Sequence, residues 1–264
     1  MDLDDLAALR LQIEWGADDA LLDTPTDRFA PPPATAGPAP APRLPRPTPT
    51  LVPLAAGPGL AAQATRAAAA ATDLASLHAA MDAFDACPLR GTATTTVAPS
   101  GNPAAGLVLV AEAPGPDDDR AGHAFSGPAG ERLDRVLASA GLTRTDLFLT
   151  LMVPWRPPGG RPVSEAELAL CLPFFHRLLA LARPRRLVLM GAGPYRTLAA
   201  ARAPGDDAGF RKARGTWRDI TLPGFDTPIP AMPILAPEIW LGTPANKQST
   251  WTDMLNLRAA FQTS

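Results

Sequence analysis

Between Leu107 and Gly130 the chain reads LVLVAEAPGPDDDRAGHAFSGPAG, and this stretch holds the side chains with most to offer a reaction. Glu112 directly follows a short apolar run. Asp117, Asp118 and Asp119 come next, and His123 and Phe125 precede a Gly-Pro-Ala-Gly turn. A carboxylate at the end of a buried strand can orient a water or hold the edge of a base. An aromatic ring beside it can carry a stacked base. Ala113, Pro114 and Gly115 form a stiff loop that brings backbone donors to one rim of a sheet. Further on, Arg156 and Arg161 in WRPPGGRP, and Arg211, Lys212 and Arg214 near Trp217, have the charge to meet phosphates.

Several other chemistries lack their residues. The loop after Ala111 has no three-glycine dinucleotide spacing, and no GK[ST] follows the first strand. There is no G-x-S-x-G for a serine nucleophile, and His78 and His176 fall inside helical patterns. Two cysteines, Cys87 and Cys171, make no disulfide framework and cannot supply four thiolates to a metal or iron–sulfur site.

The elements that position these residues follow from periodicity. Apolar runs at Leu107–Ala111, Leu147–Val153, Arg186–Met190 and Ala231–Leu235 have the length of buried strands. Helical patterns separate them at Glu131–Ala140, Ser164–Ala182 and Tyr195–Ala201, with others at Asp73–Phe84 and Trp251–Phe261. Ser164 with Glu167 three residues later reads as a capping box, and Pro173 inside that helix predicts a kink. Strands alternating with helices imply a parallel sheet covered on both faces, with the loops after each strand converging on its carboxyl edge.

Composition divides the chain into an extension and a body. Residues 3–22 form an amphipathic pattern, predicting a helix at 1–24 that docks in cis or binds a partner. Residues 25–58 hold 12 prolines in 34 residues, too many for helix or strand ladders, so 25–60 reads as an extended linker. The domain proper is then 61–264. Residues 1–85 carry 11 acidic and 5 basic side chains, and the remainder 15 acidic and 19 basic. A mildly basic body suits nucleic acid, single- or double-stranded. The acids at Asp2, Asp4 and Asp5 argue against a secretory signal and for the cytoplasm, and no run is long and apolar enough to span a membrane.

Taken together, Cys87-Pro88-Leu89, VAEAPGPDDDRAGHAFSGPAGERLD, WRPPGGRP, RRLVLMGAGP, RGTW and PANKQSTWTD resemble the uracil-DNA glycosylase superfamily, in particular its iron–sulfur branch, family 4. The resemblance runs from about Phe84 to Phe261. It implies a three-layer α/β/α fold with a central four-stranded parallel sheet. It also implies a pocket that takes a flipped uracil, stacks it on an aromatic ring, and hydrolyses the glycosidic bond with water. Phe125 matches the stacking aromatic, Glu112 the acid after the first strand, and Ala113, Pro114 and Gly115 the loop around it.

The departures from the family pattern bear on function. Its [4Fe-4S] cluster needs four cysteines, and here Phe84 and Trp155 stand in two of those positions, which predicts no cluster. The asparagine that reads the uracil edge is replaced by Leu151, and the histidine that stabilises the leaving group by Ala236. Ala111 stands where the family has glycine. The resemblance with these losses predicts a divergent member that binds DNA or protein with uracil excision lost or altered. The alternative is an active glycosylase in which Glu112, or one of Asp117, Asp118 and Asp119, positions water.

Overall fold

Leu107–Ala111 (β2) is the strand on which the sheet is built, pairing in parallel with Phe148–Leu151 (β3) on one side and Arg186–Met190 (β4) on the other. The computed structural model describes residues 58–199, 207–240 and 242–262. The predicted helix at 1–24 and the linker up to residue 57 lie outside the described residues. β4 pairs in parallel with Ile229–Ile234 (β6), so the four predicted strands form the parallel core.

The sheet is wider than expected. Ser100–Gly101 (β1) adds antiparallel to β3, and Arg218–Ile220 (β5) adds antiparallel to β6, giving the order β1-β3-β2-β4-β6-β5. Both added strands are too short to carry a periodic signal, and one lies in a glycine- and arginine-rich stretch that reads as loop. β6 also runs through Pro230 and Pro233. The Pro233 carbonyl accepts from Gly215 N, on the side away from β4. A residue's N–H and C=O point the same way in a strand, so the donor that Pro233 lacks is not one β4 needs.

Alternation along the strands separates two apolar layers. Val108, Val110, Leu187 and Leu189 face one buried cluster; Leu109, Val188 and Met190 face the other. The first layer is closed by Pro58–Ala70 (α1), Leu74–Asp82 (α2) and Glu165–Ala182 (α5). The second is closed by Gly127–Ser139 (α4) and Pro244–Gln262 (α8), through Leu133, Leu137, Met254 and Leu257. Three short helices complete the order: Pro116–Ala121 (α3), Ala192–Leu198 (α6) and Asp207–Ala213 (α7).

Helix α1 was hidden by its composition. GLAAQATRAAAA has little hydrophobic contrast, yet alanine has the highest helix propensity, and Ala64 and Ala68 pack in the first core. The helix therefore begins at Pro58, inside the range 25–60 expected to be linker. Asp73 caps α2 as expected, accepting from Ser76 N at 2.7 Å. Arg177 of α5 donates to the Ala71 carbonyl just beyond α1, tying the two helices together.

The capping box of α5 is formed and extended. Ser164 N and Oγ donate to Glu167 Oε2 at 2.9 and 2.8 Å, and Arg161 grips the same carboxylate with both terminal nitrogens at 2.9 and 2.6 Å. Arg161 hydrogen bonding, helped by Ser164 and opposed by burial, holds the Glu167 carboxyl down to about 2 from the ordinary 4.5. A carboxyl lowered in the folded state stabilises above its unfolded pKa, and that contribution is lost as pH falls through the folded value. The urea midpoint of the native chain should therefore drop more steeply between pH 4.5 and about 2 than that of Glu167→Gln. Parallel profiles would show that the box contributes nothing.

Candidate functional site

The carboxyl ends of β2, β3, β4 and β6 gather the predicted residues. Met152 N donates to Ala111 O at 2.9 Å and Val153 N to Glu112 O at 3.0 Å, carrying the β2–β3 ladder past the strand ends. Across the other side, Gly191 N donates to Ile234 O at 2.9 Å, bringing the start of α6 beside the end of β6. The Glu112 carboxylate lies against Gly193 in the first turn of α6, where any Cβ would overlap it. A Cβ at Gly191, whose φ is +93°, would come 3.3 Å from that of Ala236. Glu112, Gly191, Gly193 and Ala236 therefore share one edge of the sheet. Among the described residues the Glu112 side chain makes no hydrogen bond or ion pair.

The three aspartates are not free acids. Asp118 is buried and accepts from Gly115 N at 2.9 Å and Ser126 N at 2.7 Å, bridging the two ends of the loop. Asp119, also buried, accepts from Thr94 N and Oγ1, both at 2.9 Å. Asp117 pairs with Arg120 on the surface. The expectation that one of them positions water is corrected: all three carboxylates are occupied in holding the loop or the helix. The stretch that reads as irregular is in fact α3, with Pro116 at its first position and the aspartates in its first turn, where the helix dipole favours them.

Phe125 sits where the loop turns into α4, in the left-handed region at φ +58°. That conformation costs a non-glycine residue about 1–3 kcal/mol and persists only when its surroundings enforce it. Here Arg144 Nη2 holds its carbonyl at 2.7 Å, Asp118 holds the next N–H, and Gly130 leaves no Cβ to strike that carbonyl. The ring is buried among the second apolar cluster, which also contains Leu151, Met190, Ile234 and Trp240. Leu151 and Phe125 therefore belong to the same apolar cluster. His123 is exposed, its Nδ1 2.8 Å from Ser126 Oγ. Gly130 and Gly193 lie in segments that the sequence brings to this edge, but what they and Arg144 contribute was not legible, because each acts by position alone.

The basic candidates are divided. Arg161 is engaged by Glu167 and Arg214 by Asp253 at 3.0 Å, so both guanidiniums already hold a carboxylate. Burial raises the Asp253 carboxyl, with Arg214 acting in opposition. Arg156 is half-buried after β3, and Arg211 and Lys212 are exposed on α7.

Behind β3, four residues occupy the place of the four cysteines that the resemblance implies. Cys87 and Cys171 are buried side by side with their thiols hydrogen-bonded. The Cys171 thiol is pushed well up by that bond and by burial. Beside them the Phe84 and Trp155 rings stack with centroids 6.5 Å apart, and Phe174 meets Phe84 edge-on at 5.2 Å. Trp155 is fully buried, and its Nε1 donates to Thr96 Oγ1 at 3.1 Å. Thr96 in turn donates to Asp82, which pairs with Arg90. Two thiols and two fully packed rings do not fit an iron–sulfur cluster, which needs thiolates in all four places. Among the described residues no group of three or more histidines, cysteines or acids is placed to hold a metal ion.

Comparison with known proteins agrees with the geometry. Residues 98–254, more than half of the chain, match the sequence profile of the Uracil DNA glycosylase superfamily. The chain is 36% identical over 119 residues to the Type-4 uracil-DNA glycosylase of Pyrobaculum aerophilum, covering 45% of this chain and 61% of that protein. It is 40% identical over 105 residues to the protein of the same name from Archaeoglobus fulgidus, covering 40% and 53%. For the one from Thermotoga maritima the identity is 35% over 107 residues, covering 40% and 56%. The chain thus spans between about half and three-fifths of the length of these relatives.

Proposed function

The chain belongs to the uracil-DNA glycosylase superfamily, and from that premise we propose that it keeps the family's base-accepting fold as a DNA-binding module, with uracil excision lost or strongly reduced. The observation that carries this reading is the pair Leu151 and Ala236. A base stacked on Phe125 would meet an apolar wall, because Leu151 lies in the same buried cluster. Leucine can pair neither the carbonyl nor the N–H of a uracil edge, and burying both unpaired costs affinity and selectivity. Ala236, beside Gly191 at the carboxyl edge, offers only a methyl group, and losing an electrostatic donor there typically costs about 3–4 kcal/mol. Of the two side chains that could replace these groups, His123 is already bonded to Ser126, which supports the loss of excision, while Arg156 is half-buried after β3.

One observation favours the second reading, an active glycosylase of altered range. Glu112 keeps a carboxylate without a hydrogen-bond partner among the described residues at the carboxyl edge, where an acid could orient water. The same domain lacks the cofactor of its iron–sulfur branch in this proposal, since Phe84 and Trp155 fill that part of the core. Removing either ring would leave a cavity costing about 3–5 kcal/mol. No helix among the described residues is long and apolar enough to cross a membrane, which is compatible with a DNA partner.

Incubation of the purified chain with single- and double-stranded uracil-containing DNA, followed by alkaline cleavage, should give no product above background. Product that vanishes in Glu112→Ala or Phe125→Ala would establish the active reading instead. Binding of the same oligonucleotides should weaken steeply with salt, as phosphate contacts release counterions; salt-independent or absent binding would point to a protein partner. Iron and labile-sulfide analysis of anaerobically purified protein should find neither in stoichiometric amount, and a full complement of four irons would overturn the cofactor proposal.

A further inference from the structure

Trp217, Arg185 and Arg186 take no part in the carboxyl-edge site. Arg186 and Leu107 begin β4 and β2, so this group lies toward the amino edge of the sheet. A cavity of about 140 Å³ opens there between Leu107, Arg185, Arg186, Trp217 and Leu257. It shares Arg186, Trp217 and Ala260 with a more open groove of about 640 Å³ that runs past Thr216 and Asn256. From these walls we propose that the amino edge is a second binding site, for a single-ring aromatic anion of the pyrimidine mononucleotide class.

Size selects the ring. An apolar cavity of about 150 Å³ holds one benzene, so the inner chamber takes a single six-membered ring and excludes a purine. Its sides are Leu107 and Leu257, with the half-buried Trp217 indole as an aromatic wall. The Arg186 guanidinium lies 5.9 Å from the indole centroid and donates to the Ala260 carbonyl at 2.6 Å. Those contacts fix it as a flat cationic wall, on which a further ring can stack.

Charge selects the anion. Arg185 is exposed, and its guanidinium makes no ion pair among the described residues. Its side chain crosses Gly106, where a Cβ would come within 2.6 Å of Nε and where φ is +75°. The glycine thus lets Arg185 lie along the wall of the inner chamber, its planar fork available for an anionic group. The outer groove has room for the sugar, with the exposed Thr216 hydroxyl on its wall.

Isothermal titration of the full chain with cytidine 5′-monophosphate tests the assignment. Saturable binding is expected, with cytidine and adenosine 5′-monophosphate each at least about tenfold weaker. Arg185→Gln, at an exposed position, should weaken cytidine 5′-monophosphate at least about tenfold, and Arg135→Gln, at an exposed position on α4, should leave it unchanged. No binding, equal binding of cytidine or of adenosine 5′-monophosphate, or an unaffected Arg185→Gln would overturn the proposal. Benzoate binding as tightly as the nucleotide would also overturn it, assigning the site to aromatic carboxylates. An equal loss of binding in Arg135→Gln would overturn it as well, since the effect would then be one of surface charge at large.

Discussion

Asp118 accepts from the backbone N–H groups of Gly115 and Ser126, and the placement of both Glu112 and Phe125 follows from that bridge. The loop between them spans a helix of only six residues, and it leaves the sheet at one point and returns to α4 at another. Without a buried acceptor at its centre, two backbone donors at 2.7 and 2.9 Å would lose their partner, at about 1–3 kcal/mol each. The positive φ of Phe125 would also lose one of the contacts that enforces it. Acids that look like chemistry in the sequence are in fact the scaffold for chemistry. That leaves Glu112 as the carboxylate at the carboxyl edge with no structural duty among the described residues.

The aromatic plug behind β3 makes a parallel point about exchange of one stabilising device for another. A cluster would tie the segments at 84–87, 155 and 171 through metal–sulfur bonds. Phe84, Trp155 and Phe174 join the same segments through ring contacts, and the Trp155–Thr96–Asp82–Arg90 chain satisfies the buried Trp155 indole N–H. This core sits on the opposite face of β3 from Leu151, since Trp155 belongs to one apolar cluster and Leu151 to the other. The aromatic core and Leu151 therefore belong to different apolar layers.

Much of this was legible in the sequence where periodicity or capping carried it. β2 and β4 fall on the predicted residues, and α5 starts and ends where Ser164 and Ala182 place it. The helix α1 was not, because alanine gives propensity without pattern. The edge strands were not, because two or three residues cannot show alternation. In the site, Phe125 and Glu112 could be found by type and by resemblance. The roles of Asp118, Arg161 and Arg214 could not, since a paired charge and a free one look the same until the partner is placed. Gly193 is the sharpest case: its contribution is the absence of an atom beside Glu112.

The central claim is that the loop and its acid are in working order and that the facing walls lack two polar groups. The most direct measurement is uracil excision from single-stranded DNA by the combined variant Leu151→Asn, Ala236→His. Restored donors acting on an intact loop should raise excision about 10²-fold or more above the unmodified chain, and Glu112→Ala in that background should abolish the gain. An inert combined variant that still folds, or an unmodified chain already as active as the variant, would contradict the account.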